Sequence, residues 1–73
     1  DDFSYGYYNM GCAYLKLKDY RNAKYNFFRA LDLKNRNPNI YYNLAYSYKM
    51  LNKEKQAQTY LDLYNKIMEN QQL

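Results

Sequence analysis

The chain matches itself when displaced by 34 residues, and the match needs no gap. Tyr7-Tyr8-Asn9-Met10-Gly11 falls on Tyr41-Tyr42-Asn43-Leu44-Ala45, Tyr14 on Tyr48, Leu17 on Leu51, Ala23 on Ala57 and Phe27 on Leu61. A fixed period of this size marks an array whose units cannot bury their apolar faces alone and stack to do so. It constrains the fold more than composition can: both halves must take the same shape, and the shapes must nest.

Each unit reads as two helices. Tyr7, Met10, Gly11 and Tyr14 have the i, i+3, i+4, i+7 spacing of one buried helical face. Lys18-Asp19 is a polar break, and Tyr20, Ala23, Phe27, Ala30 and Leu31 form the next stripe. The second unit repeats the pattern with Tyr41, Leu44, Ala45 and Tyr48, a turn at Asn52-Lys53, then Ala57, Leu61, Tyr64 and Met68. The alternation of a strand persists nowhere. Helices are expected at about 4–17, 20–34, 38–51 and 54–70, with ends uncertain by about 2–4 residues. Between the units, Lys34 and Arg36 suit the negative pole of a helix, Asn35 tolerates a helix end, and Pro38 can open the next helix. Gly11 and Ala45 are small mid-helix, so a second helix can approach them closely; Ala23 and Ala57 answer from that helix, with Phe27 and Leu61 one turn on. The expected fold is all-α: two stacked helix-turn-helix hairpins in one helical-repeat domain over residues 1–73, with repeat one at 4–37 and repeat two at 38–71.

A chain of 73 residues buries a modest core. Twelve tyrosines suit a fold with much surface and little deep interior, because the ring packs while the hydroxyl tolerates water. The net charge of +4 comes from cations scattered along the chain, which reads as a solvated surface rather than a nucleic-acid footprint. Histidine is absent, which removes the commonest general base and metal ligand, and with one cysteine no zinc site can be assembled. Both glycines lie inside one expected helix, so there is no phosphate-binding loop, and no cofactor or metal is expected. Cys12 reads as a small hydrophobe and excludes an intramolecular disulfide. The protein is therefore expected to be non-catalytic and not to span a membrane. A reducing compartment, the cytoplasm, is the expected location.

An aromatic-x2-Leu-Gly-x2-Tyr pattern followed by Ala-x3-Phe, repeated at 34 residues, resembles the tetratricopeptide repeat family. The first unit supplies Tyr7, Met10, Gly11, Tyr14, Ala23, Phe27 and Ala30; the second supplies Tyr41, Leu44, Ala45, Tyr48, Ala57 and Leu61. The resemblance covers about Ser4 to about Met68. Tyr64 departs from it, standing where the first unit has the family's small residue, Ala30. That suits an end cap or an altered contact behind the second unit. The related pentatricopeptide hairpins read single-stranded RNA, but the 34-residue offset and the Gly/Ala–Tyr register favour the tetratricopeptide family.

The resemblance implies an α-solenoid fragment whose first helices line a concave groove for a peptide or protein. The residues add a second stripe on those helices: Tyr5, Tyr8, Cys12 and Leu15 in the first unit, and Asn39, Tyr42, Tyr46 and Lys49 in the second. Stacking in register would set Tyr8 beside Tyr42 and Cys12 beside Tyr46. Tyr is a frequent binding residue, offering contact area at low entropy cost. A subset of the family clamps the C-terminal carboxylates of chaperones through Lys and Asn residues. Here Tyr8 and Cys12 occupy two of those places and only Asn43 matches, so no such clamp is expected. On the last helix, Tyr60, Leu63 and Ile67 replace Asn26, Arg29 and Leu33 and suggest self-association or a longer array. Single-stranded RNA binding and a purely structural role are the competing readings.

Overall fold

A computed structural model describes residues 2–71, with side chains from residue 3. Four helices follow in order: α1 (Asp2–Lys16), α2 (Tyr20–Asp32), α3 (Asn39–Met50) and α4 (Glu54–Gln71). Among the described residues there is no strand. α1 packs on α2, α3 on α4, and α2 on α3, which joins the hairpins in series.

Three helix ends close in the same way. Lys18, Lys34 and Asn52 take left-handed conformations, with φ of 60°, 68° and 62°. The amide after each reaches back to a carbonyl: Asp19 to Tyr14 at 2.9 Å, Asn35 to Ala30 at 3.0 Å and Lys53 to Tyr48 at 2.9 Å. This is the Schellman closure, which satisfies carbonyls a helix end leaves open. At the inter-repeat corner the left-handed residue is Lys34, not Asn35. The Asn35 side chain instead accepts from the Asn37 amide at 2.9 Å and donates to Ser4 Oγ at 3.4 Å. Asn37 in turn accepts from the Asn39 amide at 3.0 Å, and α3 begins directly after Pro38. At the start of α2, Asp19 accepts from the Asn22 amide at 3.3 Å.

The fully buried apolar residues are Ala23, Phe27 and Ala30 from α2 and Ile40 and Leu44 from α3. The core therefore lies between the two repeats, on the middle helices. Gly11 fits the expectation of close approach: a Cβ there would stand 2.7–2.8 Å from the Phe27 ring. Phe28 of α2, Tyr41 and Tyr48 of α3, and Tyr60 of α4 form a second cluster across the same junction. Tyr60 stacks on Tyr48 with centroids 5.6 Å apart, lies parallel to Tyr41 at 6.4 Å, and meets Phe28 edge-on at 5.9 Å.

Two expectations are corrected. Met10, read as core, is 48% exposed, whereas its equivalent Leu44 is fully buried. The stripe spacing is right, but α2 covers that side of α3 and no helix of this structure covers the same side of α1. The stripe Tyr60, Leu63 and Ile67 is likewise not one outer face. Tyr60 points into the aromatic cluster, Ile67 lies in a shallow groove beside Leu31 and Tyr41, and only Leu63 is on the exposed side. The comparison with Asn26 misleads because Asn26 is itself buried, donating to the Asn22 carbonyl at 2.8 Å.

Candidate interaction site

The structure divides the predicted groove stripe in two. On α1, Tyr5 is exposed, but Tyr8, Cys12 and Leu15 pack on the core. The Tyr8 ring meets Phe27 edge-on at 5.9 Å. Burial, followed by the neighbouring Cys12, pushes the Tyr8 phenol above its ordinary pKa; hydrogen bonds with Asn39 and Asn37 act the other way. On α3, Asn39, Tyr42, Tyr46 and Lys49 are exposed, and Asn43 is half-buried. Of the rings on α3, Tyr42 leans on Tyr64 at 5.2 Å and Tyr46 meets Tyr20 edge-on at 5.9 Å.

The difference between the two helices follows from the repeat. The cleft between α1 and α2 is filled by α3, which inserts Ile40 and Leu44 against Ala23, Phe27 and Ala30 and sets Tyr46 on Tyr20. The corresponding cleft between α3 and α4 is open, with a volume of about 470 Å³. Tyr42, Ala45, Tyr46, Lys49 and Met50 line it from α3, and Glu54, Ala57, Gln58 and Leu61 from α4. Its floor and walls are largely apolar, while Lys49, Glu54 and Gln58 supply charge and hydrogen-bonding groups. Tyr42 and Tyr46 are 50% and 44% exposed, so their rings flank the opening.

Reading only first helices missed the α4 lining. The signal was the period itself. Subtracting 34 from Glu54, Ala57, Gln58 and Leu61 gives Tyr20, Ala23, Lys24 and Phe27, on the helix that α3 covers. The subtraction also shows how the second cleft is altered. Tyr20, Phe28 and Leu31 become Glu54, Asp62 and Asn65, and buried Ala30 becomes Tyr64, whose ring fills part of the space against Tyr42. Gln58 donates to Asp62 across this polar side at 2.8 Å.

No described helix is long and apolar enough to cross a membrane. Among the described residues no group of three or more His, Cys, Asp or Glu side chains could hold a metal.

Two antiparallel helix pairs, offset by a constant period and joined through a shared core, define a helical-hairpin repeat protein. The tetratricopeptide repeat model matches residues 4–37 and 38–68, and the chain belongs to that family. Repeats of this family are non-catalytic scaffolds that generally mediate protein–protein interactions. No curated protein and no solved structure matches the chain.

Proposed function

We propose that this chain is a protein-interaction scaffold that holds an apolar segment of a partner protein in the cleft between α3 and α4. One observation carries the reading: the second cleft stays open and keeps an apolar floor of Ala45, Ala57 and Leu61. In repeat one the same cleft holds a helix, α3, so an amphipathic helix is the ligand whose shape fits best. The polar substitutions on α4 distinguish the second cleft from a seat for a permanent neighbour. They suit a partner whose apolar stripe is narrow and whose flanks hydrogen-bond with Gln58 or pair with Lys49 and Glu54.

Met50 is exposed and lines the cleft, which makes Met50→Glu a substitution the fold tolerates. A pull-down with wild type and a Tyr46→Ala/Met50→Glu variant tests the proposal, with circular dichroism confirming that both are folded. Protein partners retained by wild type and lost from the variant are expected. Partners captured equally by both would remove the cleft from consideration. Affinity for single-stranded RNA that falls steeply with salt would favour the competing reading instead.

A further inference from the structure

α3 shows what a helix carries when it sits in a cleft of this kind, because it fills the equivalent one. Its buried residues Ile40 and Leu44 lie on the core of the first hairpin. Tyr46 and Tyr48, six and eight residues after Ile40, meet Tyr20 and Phe28 edge-on at 5.9 and 6.4 Å. Lys24 stands over the Tyr48 ring at 4.6 Å. Tyr20, Lys24, Phe28 and Leu31 follow one another by steps of four, four and three, so the stripe of α2 beside α3 is aromatic and apolar with one cation.

The equivalent stripe of α4 is Glu54, Gln58, Asp62 and Asn65, continued by Glu69, and all five are exposed. It carries three carboxylates and no cation in a chain whose net charge is +4. Lys55 and Lys66 lie farther round α4 toward its outer face, and Lys49, the cation in the cleft lining, stands on α3. Asp62 accepts from Gln58 at 2.8 Å, which uses one of a carboxylate's roughly four acceptor sites. The floor of Ala45, Ala57 and Leu61 stays apolar. The cleft thus keeps the shape of a helix seat while its α4 edge turns acidic. The first helices of this chain would set Tyr46 and Tyr48, or Cys12 and Tyr14, against Glu54 and Asp62. Cations at those two places would pair with the carboxylates instead.

We propose that the cleft between α3 and α4 selects a basic amphipathic helix of a partner protein. Such a helix has a small residue, a large apolar residue four later, and cations two and four residues beyond that, facing Glu54 and Asp62. The first residue is small because Tyr64 occupies the place of Ala30, which in the first repeat lies in the core with Ile40. The selection rests on the cleft being a partner site, as proposed above, and adds the chemistry of what enters it.

Three peptides copying residues 37–52, titrated with the whole chain and read by fluorescence anisotropy, test this. Each carries Ile40→Ala and the same helix-locking bridge between positions 41 and 45, which face α4 in the chain. The first has no other change, the second adds Tyr46→Lys and Tyr48→Arg, and the third adds Tyr46→Glu and Tyr48→Glu. The basic peptide should bind at least about threefold more tightly than either of the others, an advantage that shrinks as salt rises. In a Glu54→Lys/Asp62→Lys variant of the chain, with helicity checked by circular dichroism, the order of the basic and acidic peptides should reverse. Equal binding of all three that is lost together in Tyr46→Ala/Met50→Asn overturns the selection by charge while leaving the cleft as a partner site. Tightest binding of the tyrosine peptide overturns it too, because the cleft then seats a helix of the repeat's own kind. A preference for the basic peptide that survives either variant places the contact outside the cleft and overturns both readings. No binding by any peptide overturns the selection, whatever the pull-down retains.

Discussion

Gly11 and Ala45 are equivalent, yet their tolerance of change differs because their opposite numbers differ. Phe27 stands across from Gly11 where Leu61 takes the equivalent place in repeat two, so the larger ring is matched by the smaller helix residue. Gly11→Ala therefore meets two opposing effects. Helix propensity favours it by about 1 kcal/mol, while overpacking against a fully buried ring opposes it by about 1–3 kcal/mol. The net expectation is a loss of roughly 1 kcal/mol, measured by urea denaturation. In a Phe27→Leu background, which copies the Ala45–Leu61 pair, the added methyl should cease to be harmful. Lys34 provides the opposite case. It holds φ of 68° with a full side chain, a conformation natural to glycine. Lys34→Gly should raise stability by up to about 1 kcal/mol, reduced by the extra freedom glycine has when unfolded. In a domain this small that is a rise of at most about 4–8 °C in Tm, readable by calorimetry.

The last helix is held to the first hairpin chiefly through Tyr60, which reaches Phe28 on α2 as well as Tyr41 and Tyr48 on α3. Tyr60→Ala should cost about 2–4 kcal/mol, near the lower range for removing an aromatic from a core, whereas Tyr60→Phe keeps the stacking and should nearly preserve the denaturation midpoint. Comparable losses in the two variants would show that the hydroxyl, not the ring, holds the element. Tyr60 also marks where sequence reasoning stopped. The period and the helical spacing make four helices, their order and their inner stripes legible, and the observed ends lie within two residues of the expected ones. Spacing shows which side chains share a stripe; it does not show whether a neighbour covers it. Spacing alone therefore places Met10 in a buried stripe and Tyr60 on an outward one, because its equivalent, Asn26, is polar. The exposed tyrosines of α3 were legible as part of a stripe. The α4 wall of the cleft was not, because it depends on how two helices from different stretches face each other.

At the scale of the whole molecule, the described chain measures 35 × 32 × 18 Å, so its short dimension holds only about two helix layers. No side chain lies far from water, and tyrosine serves this shape by packing its ring while keeping its oxygen near the edge. Burial pushes the Tyr8 and Tyr60 phenols above their ordinary pKa of 10.0, with Cys12 adding to the effect at Tyr8 and Tyr48 and Tyr41 at Tyr60. A raised folded value means the fold favours the protonated form, so this stabilisation is complete below about pH 10 and is lost as pH rises through the folded values. Thermal stability from these groups should stay level through neutral pH and fall above about pH 10, less steeply in Tyr60→Phe; a fall beginning near pH 8 would contradict this assignment. The central core joins α2 of one hairpin to α3 of the other. Its most deeply buried side chains therefore meet at a seam between halves that look, by sequence, like separate modules. Deuterium should enter the amides of α1 and α4 first, through fraying, and those of α2 and α3 last, because the middle pair is exposed only when the hairpins part. A cut at the inter-repeat corner should accordingly yield two disordered peptides rather than two small domains.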